Sequence, residues 1–177
     1  MPERRGVPWH RWLALSAAVA ACDLATKAWV SAAFTAGDVH VITPFLNLVL
    51  WHNPGAAFSF LAGAGGWQRW FFIGVAIVVS AVLLAMLRRS GGNRLLAAAL
   101  ALVLGGAAGN LWDRVTLGHV VDFIQLHAAG YYWPAFNVAD SAITVGVALI
   151  LWDGFRESRA ARGNGDSRTV AGDRADP

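Results

Sequence analysis

Charged residues are scarce in this 177-residue chain. Asp, Glu, Lys and Arg together make up 14% of it, whereas hydrophobic residues make up 56%. A soluble domain of this size needs more polar surface than that to cover its core. The composition therefore argues against a soluble globular protein and favours a protein whose solvent is the lipid bilayer.

Cysteine is nearly absent as well. Because Cys22 is the only one, no disulfide can form within the chain. Two arginines, an apolar stretch and Val19-Ala20-Ala21 precede Cys22, an order that resembles a lipoprotein signal peptide. The apolar run continues to Phe34, however, which is too long for a cleaved signal sequence, and three more apolar runs follow. We therefore interpret Cys22 as a small packing residue within the first span.

Several common catalytic motifs are also missing. The five histidines form no HExxH or other metal-ligand spacing, no serine stands in a nucleophile-elbow context, and no glycine-rich phosphate-binding loop is present. We therefore expect no metal and no cofactor. A net charge of +3 and a pI near 9.8 are compatible with nucleic-acid binding. The positions of the basic residues point elsewhere, and we expect no nucleic-acid partner.

Four long apolar runs dominate the sequence, and each is long enough to cross about 30 Å of hydrocarbon as a helix. The predicted spans are residues 12–34, 70–87, 95–112 and 138–155. Residues 1–159 would form a single four-helix transmembrane domain. The tail over 160–177 is rich in Gly, Arg, Asp and Ser, a composition typical of disorder.

The basic residues indicate the orientation of the chain. Eleven of the 14 lie in three segments that a four-span topology places on one side of the membrane. The positive-inside rule puts that side, and both termini, in the cytoplasm. The loops over 35–69 and 113–137 then face outward. The eleven are Arg4, Arg5 and Arg11 before the first span, Arg88, Arg89 and Arg94 between the second and third, and Arg156, Arg159, Arg162, Arg168 and Arg174 after the fourth.

The outer loops carry signals for β-structure. Residues 39–42 and 46–50 are rich in β-formers, and Asn53-Pro54-Gly55 is a turn signal. Residues 115–126 are also strand-prone, with a break at Gly118. We predict a small β-sheet on the outer membrane surface. The glycine-rich turn at 63–66 would end the first outer loop and supply a hinge for a lid.

The first span holds two ionisable residues, Asp23 and Lys27. Charges within a membrane span are costly and are often functional. The i, i+4 spacing places these two on one helix face, where they can neutralise each other. We predict a pair that faces the helix bundle and supports it, without a direct part in catalysis.

The outer end of the third span reads Gly109-Asn110-Leu-Trp-Asp113-Arg114. Asn110, Asp113 and Arg114 lie within about one helical turn of each other. One interpretation is an interfacial helix end at which Asp113 and Arg114 form an ordinary ion pair. The other is a polar rim that positions a peptide backbone. The segment alone is compatible with both.

Two aspartates, Asp122 and Asp140, are placed at the outer mouth of the predicted bundle. Asp122 lies in an apolar, strand-like stretch, where desolvation favours the neutral carboxyl. Asp140 follows Asn137 by three residues, as in a capping box, and is also explained as a helix-start residue. Together they suggest a pair that shares one proton. Such a pair hydrolyses peptides by activating a water, as in aspartic proteases.

With these residues in these positions, the sequence resembles the lipoprotein signal peptidases, also called signal peptidase II, a family of bacterial membrane aspartyl proteases. The resemblance covers residues 12–155. It is carried by Asp23-Leu-Ala-Thr-Lys27, Asn53-Pro-Gly-Ala-Ala-Phe58, Gly109-Asn110-Leu-Trp-Asp113-Arg114, Gly118-His-Val-Val-Asp122-Phe-Ile124 and Phe136-Asn137-Val-Ala-Asp140-Ser141.

The resemblance implies four transmembrane helices with a small extracytoplasmic β-sheet, the β-cradle. It also implies roles for particular side chains. Asp122 and Asp140 would be the catalytic dyad. The residues that would bind substrate or support the site are Asn53, Gly55, Gly109, Asn110, Asp113, Arg114, Asn137, Asp23 and Lys27.

The resemblance further implies a substrate and an inhibitor. The family cleaves prolipoproteins immediately before a cysteine that carries diacylglycerol, and the cyclic peptide globomycin inhibits it. The acyl chains would stay in membrane lipid while the scissile peptide bond reaches the aspartates. We accordingly expect a monomer in the bacterial inner membrane, with its active site near the outer surface.

Two other functions are compatible with the residues alone. A small proton-coupled transporter would use Asp23, Lys27, Asp122 and Asp140 as a relay, although it would need polar residues on the cytoplasmic side of the spans, where few occur. A non-catalytic membrane scaffold or chaperone would not need either aspartate of the dyad.

Overall fold

The structure is a computed structural model that describes residues 7–55, 65–90 and 92–172, with side chains up to Arg159. Residues 56–64 lie outside this description. They include the Ala-Ala-Phe58 end of one motif and the first part of the predicted glycine-rich turn at 63–66.

Four long helices form the framework of the described chain. A short 3-10 helix over Trp9–Trp12 leads into α1, Leu13–Ala33. The others are α2, Trp67–Arg88; α3, Arg94–Thr116; and α4, Val138–Gly172. All four are long and apolar enough to cross a membrane. The prediction of a four-helix membrane protein is therefore confirmed, although α3 continues four residues beyond its predicted end at 112.

The fourth helix also exceeds its predicted bounds. The sequence predicts a span that ends at 155 and a disordered tail from 160, whereas the helix continues to Gly172. The Arg- and Ala-rich stretch at 159–162 contains strong helix formers, which favour continuation past the membrane-spanning part. Residues 173–177 lie outside the description, and the division into domain and tail stays a prediction.

Helix α3 lies at the centre of the bundle and packs against the other three helices. Its glycines allow this. A Cβ atom on Gly106 would meet the backbone carbonyl of Ala139 in α4, and one on Gly109 would meet the carboxylate of Asp23 in α1. The close approach is the kind that small residues permit in lipid. By contrast, the side chain of Cys22 is exposed on α1, so its predicted role in packing is wrong.

The β-sheet stands at the end of the bundle where α3 finishes and α4 begins. Its strands are β1, Val39–Thr43; β2, Leu46–Asn53; β3, Val120–Ala128; and β4, Tyr131–Tyr132, in that order and antiparallel. The predicted sheet is therefore present. The predicted strand over 115–126 is wrong at its start, because α3 runs to Thr116 and Gly118, at φ 84°, makes the turn into β3.

Strand β3 determines the position of the site. The register pairs Trp51 with Asp122. After β4 the chain returns along β3, where the amide of Phe136 donates to the carbonyl of Ile124 at 2.9 Å. Helix α4 begins two residues later. The two predicted catalytic aspartates thus come from adjacent segments, one in a strand and one in the first turn of a helix.

Candidate active site

Asp122 is a buried carboxyl, 3% exposed, that accepts two amide hydrogen bonds. Asn53 on β2 donates to Oδ2 at 2.9 Å, and Asn137 donates to Oδ1 at 2.7 Å. Burial, reinforced by the nearby charge of Asp140, raises the pKa of Asp122 to about 7, against the opposing effect of the two amides. Near neutral pH this carboxyl therefore holds its proton for a large part of the time.

Asp140 is the third residue of α4. As the sequence predicts, Asn137 caps this helix, because its Oδ1 accepts from the backbone N–H of Asp140 at 2.9 Å. Nδ2 of Asn110 donates to the Asp140 carboxylate at 2.8 Å. One side chain, that of Asn137, thus bonds both to the carboxyl of Asp122 and to the backbone of Asp140. This shared partner fixes the two aspartates relative to each other.

The amide of Asn110 is held in one orientation. Nζ of Lys27 donates to its Oδ1 at 2.9 Å, and Nδ2 of Asn137 lies 3.3 Å from the same oxygen. Since an ammonium group has no acceptor, the amide oxygen must face Lys27. The amide NH2 group is therefore directed at Asp140.

Lys27 is also the centre of a buried cluster of charges. Its Nζ lies 2.7 Å from the carboxylate of Asp23 and 2.9 Å from that of Asp113, and all three side chains are almost inaccessible to solvent. The predicted Asp23–Lys27 pair is therefore present and faces the bundle. Within the described residues Asp113 forms its ion pair with Lys27 alone, so the alternative pair with Arg114 is wrong.

The two carboxylates of this cluster also bind backbone. Oδ1 of Asp23 accepts from the amide of Ala139 at 2.8 Å, and Oδ2 of Asp113 accepts from the amide of Val121 at 3.2 Å. Ala139 directly precedes Asp140, and Val121 directly precedes Asp122. The charges inside the bundle are thus connected to the backbone on which each predicted catalytic residue stands.

Arg114 joins α3 to the turn after β2. Its Nη2 donates to the carbonyl of Gly55 at 2.8 Å, and its guanidinium lies 5.2 Å from the centre of the Phe72 ring. Arg69 of α2 donates to the carbonyls of Arg114 and Val115, both at 2.8 Å, and so caps the C-terminus of α3. Sequence reasoning gave Arg69 no role, although it is one of only three basic residues outside the basic segments.

Asp122 and Asp140 line one cavity of about 520 Å³. Asn53, Asn110 and Arg114 line it with them, so the cavity contains two carboxyls, two amides and a guanidinium. Its wall continues along α4 through Ile143 and Val145. Carboxyls that face a common space and share one proton are the arrangement that hydrolyses a peptide bond with an activated water.

The structure therefore brings the predicted residues together in two layers. The dyad candidates, Asn53, Asn110 and Arg114 border the cavity, while Asp23, Lys27, Asp113, Gly109 and Asn137 lie behind it. The catalytic and binding roles of these residues stay predictions. Sequence reasoning missed the wall at Trp133 and Pro134, which lines the same cavity, because nothing in the local pattern links this loop to the aspartates.

Comparison with known proteins identifies relatives along most of the chain. Residues 15–156 match the family model described as signal peptidase (SPase) II. The chain is 50% identical over 151 residues to the lipoprotein signal peptidase of Burkholderia mallei (strain SAVP1). The aligned part covers 85% of this chain and 91% of that protein. It is 48% identical, with the same coverage, to the lipoprotein signal peptidase of Paraburkholderia phymatum.

Solved structures agree with this match. One, described as a bacterial membrane enzyme at 2.3 Å resolution, aligns with a TM-score of 0.76 and 33% identity over 84% of this chain and 90% of the other. A second, at 1.9 Å, aligns with a TM-score of 0.71 and 34% identity over 81% of this chain and 92% of the other. The fold, the family model and the curated relatives thus agree, and the chain belongs to the signal peptidase II family of membrane peptidases.

Proposed function

We propose that this protein is an aspartic endopeptidase that removes signal peptides from diacylglyceryl-modified prolipoproteins. It would cleave the peptide bond immediately before the lipidated cysteine. The observation that carries the proposal is the cavity that Asp122 and Asp140 share. The side chain of Asn137 connects the two residues, because it bonds to the carboxyl of Asp122 and to the backbone N–H of Asp140. Membership of a peptidase family favours this function over a transporter or a scaffold.

The proposed chemistry needs one proton on the dyad. The ionised carboxyl takes a proton from a water molecule, and the water oxygen attacks the carbonyl carbon of the scissile bond. The protonated carboxyl gives its proton to the carbonyl oxygen, which produces a neutral tetrahedral intermediate. On collapse, the C–N bond breaks, the cysteine nitrogen takes a proton from one carboxyl, and a hydroxyl of the intermediate gives its proton to the other carboxyl. This restores the singly protonated dyad. We assign this single proton to the dyad as a whole.

The raised pKa of Asp122, about 7, supports this chemistry, because it keeps a proton available near neutral pH. The side chains of Asn53 and Asn110 are placed to orient the dyad, since each donates to one carboxyl. The water is activated by carboxylates, so no cofactor enters the scheme. In residues 7–55, 65–90 and 92–159, no cluster of three or more metal-binding side chains occurs.

The form of the cavity supports a lipidated substrate. Its wall runs from the dyad to Ile143 and Val145, which lie within the membrane-spanning part of α4. Acyl chains and an apolar signal peptide can therefore remain in the bilayer while the scissile bond reaches Asp122. We place the site at the outer surface of the bacterial inner membrane, with both termini in the cytoplasm. The cyclic peptide globomycin would bind in the same cavity.

The test is a gel-shift assay with purified protein and a diacylglyceryl-modified prolipoprotein. Asp122→Asn and Asp140→Asn should each abolish the shift to the mature form, because neither variant has both an ionised and a protonated carboxyl. Asp38→Asn, which changes an aspartate before β1 whose side chain is 43% exposed, is the matched control and should process normally. Circular dichroism would show that the variants are folded. Normal processing by either dyad variant would refute the proposal.

A further inference from the structure

A second cavity adjoins the candidate active site on the side of the sheet. Its volume is also about 520 Å³, and it shares Asn53, Asp122 and the loop at 133–135 with the first cavity. Its own lining includes Trp51 and Tyr132. Every described residue that lines it comes from the sheet or its connecting loops, and none comes from a spanning helix. The two cavities therefore extend from Asp122 toward different surroundings.

A short arch of backbone over residues 133–135 lines both cavities. The amide of Trp133 donates to the carbonyl of Leu126 at 2.8 Å, and the amide of Phe136 donates to the carbonyl of Ile124 at 2.9 Å. The chain leaves the strand pairing between these bonds, at Pro134 and Ala135. Because proline has no N–H, the break in strand pairing at Pro134 leaves no backbone donor without a partner at that residue. The arch borders both cavities next to Asp122.

Resting on the function proposed above, the geometry points to an occupant for each cavity. Three parts of the substrate diverge from the scissile bond, namely the apolar signal peptide, the diacylglycerol and the mature polypeptide. The first two belong in lipid, which the first cavity approaches along α4. Only the mature polypeptide must leave the bilayer. We propose that the second cavity binds the residues that directly follow the lipidated cysteine.

The lining suits a polypeptide of variable sequence. Trp51 is 52% exposed and Tyr132 is 63% exposed, so each presents a large aromatic surface. Such rings supply contact area with little loss of side-chain entropy, and they accept many different partners. The Tyr132 ring is stacked on His127 at 5.3 Å, which restricts it. The side-chain amide of Gln125 in the same lining can bond to a peptide backbone.

The register connects this groove to the chemistry. Trp51 is the cross-strand partner of Asp122, so both side chains lie on the same face of the sheet. A peptide held against Trp51 thus leads directly to the dyad. Trp51 and Tyr132 would act as specificity-determining residues that bind substrate without taking part in bond cleavage.

The test compares two diacylglyceryl-modified substrates with the same signal peptide. The long one continues for several residues after the cysteine, and the short one is amidated at the cysteine. With the long substrate, Trp51→Ala and Tyr132→Ala should each raise KM by about fivefold or more with little change in kcat. The matched controls are Trp67→Ala and Tyr131→Ala, which remove exposed rings outside both cavities and should behave like the wild type.

The short substrate separates the two proposals. Wild type and groove variants should converge on it, because no residue follows the cysteine to enter the groove. If Trp51→Ala and Tyr132→Ala leave KM unchanged, or raise KM equally for both substrates, the groove assignment is wrong while the proposed peptidase function stands. If the wild type cleaves neither substrate, the proposed function itself fails.

Discussion

Removal of the Asn53 side chain should shift the pH dependence of catalysis in a direction fixed by the structure. Nδ2 of Asn53 donates to Oδ2 of Asp122 at 2.9 Å, and this bond lowers the pKa of a carboxyl that burial has raised to about 7. Asn53→Ala removes the donor, while Asn137 keeps its own bond to the other oxygen. The ionised form of Asp122 therefore loses one of its two amide partners.

The size of the shift follows from the strength of such bonds. A hydrogen bond to a charged group contributes roughly 1.5–3 kcal/mol. One pKa unit corresponds to about 1.4 kcal/mol, so the pKa of Asp122 should rise by about one to two units. Water that enters the space left by Asn53 would restore part of the stabilisation. We therefore expect the lower value, a rise of about one unit in the pKa of Asp122.

The pH above which activity falls should therefore increase. The dyad needs one protonated carboxyl, and Asp122 with a higher pKa keeps its proton to a higher pH. The alkaline limb of kcat/KM should move up by about one pH unit in Asn53→Ala. The assay is cleavage of a diacylglyceryl peptide in detergent micelles from about pH 5 to pH 9 at constant ionic strength.

Asn47→Ala is the matched control for this experiment. Asn47 lies on the same strand, is 3% exposed, and donates to Gln125 at 3.1 Å. Its loss should change stability without moving the alkaline limb. The reasoning is refuted if the limb of Asn53→Ala stays in place or moves down, or if Asn47→Ala moves it by the same amount.

Two further predictions concern the layer behind the dyad. Gly109→Ala would place a methyl group against the carboxylate of Asp23 and should lower the free energy of unfolding by roughly 1–3 kcal/mol. In Gly74→Ala the added methyl group would meet no described atom within 4 Å apart from its chain neighbours and its own helix backbone, so this variant should be neutral or slightly stabilising. Equal melting temperatures for these two variants would contradict the close α1–α3 contact. Lys27→Met would leave the carboxylates of Asp23 and Asp113 buried without a cation, at a cost of roughly 3–5 kcal/mol in thermal or denaturant unfolding. Adding Asp113→Asn should recover part of that loss. If Lys27→Met alone is as stable as the wild type, the cluster is not ionised.

Much of the fold could be predicted because its signals are local. Apolar length fixes the four spans, and β-formers with turn residues fix most of the sheet. The capping pattern at Asn137 places the start of α4 at the residue where the structure has it. The failure at 115–116 is physical as well, since β-prone residues at the end of a long helix follow the helix until Gly118 ends it.

The second layer of the site could not be predicted in the same way. The i, i+4 spacing of Asp23 and Lys27 is visible in the sequence, but the bond from Lys27 to Asp113 joins α1 to α3 and depends on how the two helices rotate against each other. The arch at Pro134 depends on which bonds of β3 are used by the returning chain. Such contacts are set by tertiary packing, for which a single sequence contains no periodic signal.

The ammonium group of Lys27 is connected to both halves of the candidate active site. From Nζ, one path runs through Asp113 to the amide before Asp122, and the other runs through Asp23 to the amide before Asp140. These paths use α1, α3, β3 and the start of α4, which are synthesised one after another in that order. A partly inserted chain has the aspartates but no fixed spacing between them. The candidate active site is therefore complete only once the last helix is in place.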